Sequence, residues 1–307
     1  MSQLTVAHVL AQLQSGQSLS QTELSHLDLS QQCLDHGDFS GAYLRRANLM
    51  GSSCRGVNFS QATLVMANLS ETNLSTAQLA EAACMQAQLS KANLTQATAP
   101  GVKLYSAQLE QIQALQAQFE GADFRYATGS QSHFDRASLV GARLDYADLS
   151  QSSFQAANLN ETSWVEAKLI DSAFIGAQLA HAQLSKTQLM GANFSEAQIL
   201  RGNFSEADLT EAVLKTAKLD WAELWSTTLV KADLSQASLY EANLEYANLS
   251  HANLSGADLR DANLENAQLE AVCLENAQVQ GALFTNAVGL TAEQIQWLRK
   301  HGALQVG

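Results

Sequence analysis

The stretch "YEANLEYANLSHANLSGADLRDANL", residues 240–264, says one five-residue phrase repeatedly: Ala, a small polar residue, Leu, then two variable positions. Five matches neither the helical period near 3.6 nor the strand period of 2. Stepping by five from Leu249, the frame holds without a slip from Leu24 to Phe284, through 53 consecutive pentapeptides. Of these central positions 35 are Leu and 10 are Phe, and those ten are every Phe in the chain. The exceptions are Cys54, Cys84, Ala99, Ala114, Gly129, Trp164, Ile199 and Val279. Two residues before each centre, Ala fills 36 of the 53 positions.

A large and a small apolar residue flanking one polar position both point inward from a short extended piece, and the next pair turns a corner in solvent. Four such sides close a square coil of 20 residues. Coils stacked by backbone hydrogen bonds at roughly 4.8 Å would make about thirteen coils and a rod on the order of 60 Å long. One coil cannot bury its own interior, whereas stacked coils can. Stepping by twenty places Phe134, Phe154, Phe174 and Phe194 in one column, so four sides are expected from the residues themselves. "ANLSHANLSGADLRDANL" closely resembles the A(D/N)LXX consensus of the pentapeptide repeat family, over residues 22–286. The resemblance implies an all-β solenoid, a right-handed quadrilateral parallel β-helix.

The unbroken frame predicts one elongated β-helical domain, 19–288, between an N-terminal helical cap, 1–18, and a C-terminal helical cap, 289–307. Residues 4–14 carry apolar side chains at helical spacing. In "LTAEQIQWLRKHG", Thr291 and Gln294 form a capping box and Gly302 is a stop. Tails of this kind resemble those of bacterial, especially cyanobacterial, members of the family. Covered ends favour a monomer over end-to-end dimerisation, with lateral dimerisation as the open alternative. Pro100 and Gly101 occupy both outward positions of one corner, where a distorted turn near Ala99 is expected.

The chain shows no leader, no membrane-length apolar run and no CxxC, and its four Cys are not a coil apart. A reduced, soluble, cytoplasmic protein is expected. The seven His have no ligand spacing, and neither a phosphate-binding glycine loop nor a nucleophile elbow occurs. No catalytic residue, metal or cofactor is therefore expected.

The net charge of −13 raises a sharper reading, since some family members protect type II topoisomerases by imitating DNA. A mimic should concentrate its field on the docking side. Here the four walls, counted from that of Leu24, carry nets of −2, −5, −2 and −5, spread all round. Acidity also serves solubility. Seventeen bases against 30 acids argue against direct nucleic-acid binding.

Large apolar residues at outward positions stand out. Trp221, Trp225, Tyr240 and Tyr246 are expected to converge across two neighbouring coils as a partner-binding patch, because Trp and Tyr dominate hot spots. Aromatics lying flat to shield a corner are the plainer reading. Val65, Met66, Met85 and Tyr105 form a looser apolar group, and Ile170, Met190 and Val230 another. Trp164 sits on an inward centre and belongs to the core. The expectation is a non-enzymatic protein–protein interaction scaffold with an unidentified protein partner and no membrane contact. A DNA-mimicking topoisomerase regulator is the alternative.

Overall fold

The structure is a computed structural model that describes residues 4–307. The chain forms two compact units, Met1–Ala157 and Asn158–Gly307. Both are built by the same rule. The residue before each centre makes a parallel bridge to the residue twenty further on, as in Glu23–Tyr43 and Asn48–Asn68 in the first unit and Glu223–Asn243 in the second. Successive centres lie on successive sides, so four pentapeptides return the chain to its starting wall.

Along the walls the backbone of each coil pairs with that of the next. Leu24 donates its N–H to the Tyr43 carbonyl at 2.8 Å, and Tyr43 donates back to the Thr22 carbonyl at 2.9 Å. Only one residue per side bridges, because the next two leave to turn. At each corner the residue after the turn donates to the centre's carbonyl, as Leu27 does to Leu24 at 3.2 Å. The third turn residue has positive φ at every corner from Gln21 to Asn286, for example 63° at His26 and 60° at Tyr246. Those two features define a type II turn. Pro100–Gly101 therefore does not distort its corner. Pro at the second position and Gly at the third, φ 63°, suit this turn best, and Val102 closes it onto Ala99 at 3.3 Å.

The Asn or Asp in the repeated phrase has a local task. Asn58 accepts the Ser60 N–H at 3.0 Å, Asn193 that of Ser195 at 2.9 Å, and Asp233 that of Ser235 at 3.0 Å. Such Asx bonds satisfy the first turn N–H, which the bridge pattern leaves unpaired.

The centres and the small residues two before them are the core. Burying each Leu or Phe contributes roughly 1.5–3 kcal/mol. Phe134 stacks on Phe154 at 5.0 Å in the first unit, and Phe174 on Phe194 at 4.6 Å in the second. Exceptions to the consensus compensate one another. Phe119, Phe124 and Phe134 meet edge to face around one coil, and its fourth centre is Gly129, where a Cβ would lie 2.8 Å from that of Leu109. Where Ser or Thr replaces the small Ala, its hydroxyl takes a backbone carbonyl: Thr72 that of Leu49 at 2.8 Å, Thr227 that of Phe204 at 2.8 Å.

Helix α1 spans Val6–Gln14 and helix α2 spans Ala292–Lys300. Each buries one residue fully, Val9 and Leu298. The Thr291–Gln294 capping box is present. Gln294 also donates from Nε2 to the Val272 carbonyl at 2.9 Å, standing in for the backbone donor that a further coil would bring. The C-terminal tail is not helical throughout. After α2 it returns to the wall, and Leu304 bridges Leu283, twenty-one residues back, a register slip of one introduced by the helix.

Candidate interaction surface

Each corner displays the side chains of its two middle turn residues, so aromatics placed there are held by the turn rather than by a flexible loop. Trp221 and Tyr240 occupy the corner between the fourth and first walls. Their rings meet edge to face at 5.8 Å. Trp225 and Tyr246 occupy the next corner, between the first and second walls, and meet at 6.3 Å and 76°. The four residues thus form two pairs on successive corners, with the Glu223–Asn243 hydrogen bond on the wall between them. Trp221, Trp225 and Tyr246 are 42, 39 and 51% exposed, while Tyr240 is half-buried. Each pair joins residues of neighbouring coils, with its rings near perpendicular at 82° and 76°.

The first pair is set in charge. Arg201 lies 5.6 Å over the Trp221 ring, and the Trp221 indole N–H donates to Glu241 at 3.2 Å. Arg260 lies 5.7 Å over Tyr240 and is itself held by Asp258 through bonds of 2.8 and 2.6 Å. That pairing keeps the Asp258 carboxyl below its usual value and lifts Arg260 above its own, while Glu241 raises the Tyr240 phenol. Fixed cations and anions thus surround the exposed rings, and Tyr240 and Arg260 also line a shallow depression of about 490 Å³ with Asp261, Gln280 and Leu304.

The first unit carries an aromatic strip that the sequence grouping caught only in part. Tyr105 contacts Tyr126 at 5.3 Å, and Tyr126 stacks on Tyr146 at 4.9 Å and 9°. Arg125 lies over Tyr105 at 5.7 Å, tethered by its two bonds to Asp123. Tyr126 and Tyr146 share the corner that carries Met66 and Tyr105, so stepping by twenty through the turn positions, not only the centres, reveals them. Met190 is exposed, whereas Ile170 and Val230 are half-buried.

Trp164 is fully buried in the second unit and donates its indole N–H to Thr162 at 2.8 Å. Cys54 and Cys84 are buried and burial pushes both thiols up to about 12, whereas Cys33 and Cys273 are exposed. Among the described residues no group of three or more His, Cys, Asp or Glu is placed to hold a metal ion. No helix among them is long and apolar enough to cross a membrane.

A family model described as Pentapeptide repeats matches overlapping segments spanning residues 22–83 and 117–286. No curated protein matches the chain. Among solved structures, a trypsin-treated variant of QnrB1, a plasmid-mediated fluoroquinolone resistance protein, is 16% identical, covering 66% of this chain and 94% of that one with a TM-score of 0.46. HetL, involved in heterocyst differentiation regulation in the cyanobacterium Nostoc sp., is 26% identical over 92% of this chain and 97% of its own, TM-score 0.31. A protein of the Arabidopsis thaliana thylakoid lumen is 33% identical over 38% of this chain and 79% of its own, TM-score 0.25.

Proposed function

The chain belongs to the pentapeptide repeat family, and from that premise we propose that it is a non-enzymatic scaffold whose outer corners bind a partner protein. The observation that carries this reading is the pairing of Trp221 with Tyr240 and of Trp225 with Tyr246 on adjacent corners. A rigid aromatic surface costs little side-chain entropy on binding, and Trp, Tyr and Arg are the residues that dominate binding energy at interfaces. The test is a pull-down from lysate of the native organism, comparing the intact chain with the variant carrying Ser at all four aromatics. A protein retained by the first and lost by the second supports the scaffold. Equal recovery of every partner by a folded variant sinks it.

Acidity supports a second reading, a DNA-mimicking regulator of a type II topoisomerase. Its weakness is that many carboxylates are engaged within the chain, as Asp123 with Arg125, Asp258 with Arg260 and Glu211 with Lys231. Supercoiling by purified gyrase, with and without the chain, decides it: salt-sensitive inhibition or protection favours the mimic, and no effect removes it. We take the scaffold to act as a monomer, which light scattering across a concentration series checks.

A further inference from the structure

The last coil of the second unit ends in open backbone. In the coil before it, Leu254 donates to the Cys273 carbonyl and Gly256 to that of Glu275, both at 2.8 Å. One coil on, the residues that should accept from Leu274 and Asn276 are Glu293 and Ile295, and these have been drawn into α2. Among the described residues the N–H groups of Leu274 and Asn276 find no acceptor. Helix α2 covers this edge only partly. Gln294 takes the Val272 carbonyl, and beside it stays a groove of about 470 Å³ lined by Val272, Leu274 and Trp297, with Glu275 and Glu293 also lining it.

We propose that this groove binds an extended peptide segment, carrying Lys or Arg beside an aliphatic residue, as an added rung on the third wall. Two free donors two residues apart match the carbonyls on one edge of an extended chain, which repeat at about 6.6–6.8 Å. Strand addition to an open sheet edge is an established mode of peptide capture, with main-chain bonds supplying affinity and pockets supplying specificity. Val272, Leu274 and Trp297 receive the aliphatic side chain. The charged groups lining the groove are both carboxylates, so the complementary peptide is basic. A second copy stacked head to tail does not meet that requirement. Its N-terminal rung would present Glu23, Asp28 and Asp38 at the bridging positions. Two copies joined through this same edge would oppose Glu275 and Glu293 with their own counterparts.

The probe is fluorescein-labelled acetyl-Lys-Val-Lys-Val-Lys-amide added to the full chain, read by anisotropy and by amide hydrogen exchange. The expected result is saturable binding that slows exchange at Leu274 and Asn276. Glu275→Lys with Glu293→Lys, or a Glu-Val-Glu-Val-Glu peptide, should weaken it by roughly tenfold or more. Trp297→Ala should weaken it, and Lys231→Ala, outside the groove, should leave it unchanged. No saturation at millimolar peptide overturns the proposal, as does binding that leaves both amides exchanging freely or that ignores charge reversal. Protection of the same amides by a concentration-dependent dimer, seen by sedimentation without peptide, also overturns it in favour of a second copy.

Discussion

Trp164 donates its indole N–H to Thr162, and the Thr162 hydroxyl in turn donates to the Leu159 carbonyl at 2.6 Å. A centre built for Leu or Phe thus accommodates an indole because the small residue two before it happens to be a hydroxyl. Replacing Thr162 with Val keeps the volume and strands a buried donor, which should cost about 1–3 kcal/mol. Trp164→Phe in that background should recover part of the loss. Urea unfolding of the four members of this cycle measures the coupling. Additive losses would show that the bond contributes nothing specific.

The left-handed corners predict stabilising substitutions. His251 holds φ 61° in an exposed turn with no side-chain bond, a conformation costing an L-residue roughly 1–2 kcal/mol. Glycine relieves that strain but loses more freedom on folding, so His251→Gly should gain about 0.5–1 kcal/mol net. His251→Val should lose stability, because a branched Cβ tolerates this region least. Thermal midpoints of both variants give the signs.

Gly129 should resist even the smallest addition. A methyl there would meet the Leu109 Cβ at 2.8 Å and Leu149 Cδ2 at 2.9 Å, within a coil already holding three Phe rings. Gly129→Ala should cost about 1–3 kcal/mol, as overpacking does. Leu149→Ala in the same chain should return some of it, read again by urea midpoint.

Asp123 and Asp258 have carboxyls held below their ordinary values chiefly by the hydrogen bonds from Arg125 and Arg260. A depressed carboxyl pKa contributes stability that is fully present above the unfolded value, about 3.9, and is lost as pH falls through the folded one. The thermal midpoint should therefore drop as pH falls below about 4. Asp123→Asn with Asp258→Asn should flatten that slope while lowering the plateau at neutral pH. An unchanged slope would assign acid sensitivity to other groups.

The architecture was legible because one residue in five carries the whole core, and a period seen fifty-three times leaves little freedom. The helices at 6–14 and 292–300 announced themselves through apolar spacing and the Thr291–Gln294 box. Less was readable at the corners. Their left-handed residue is most often not glycine, because the neighbouring rungs enforce a conformation that local preference opposes, so Pro100–Gly101 looked exceptional where it is the best-suited turn of all. The candidate surface was placed from column arithmetic on four aromatics. The same columns, extended to the turn positions, also hold Tyr126 and Tyr146 and put Trp221, after Leu219, and Trp225, after Leu224, on separate corners. The slipped rung at Leu304 left no trace, since its register depends on how many residues α2 consumes.

Apart from the slipped Leu283–Leu304 rung, the bridges of each unit join residues twenty apart, and the aromatic pairs Trp221–Tyr240 and Trp225–Tyr246 sit one coil apart in the same phase. Loss of one pentapeptide between residues 227 and 239 would leave every centre apolar and every turn intact. Yet it would carry Tyr240 and Tyr246 a quarter turn from Trp221 and Trp225, dissolving both pairs in one mutational event. Loss of twenty residues would shorten the unit and keep everything above and below in step. A lineage of such chains can therefore change length in whole coils while preserving what it displays, and can redraw its surface by a single slip of five.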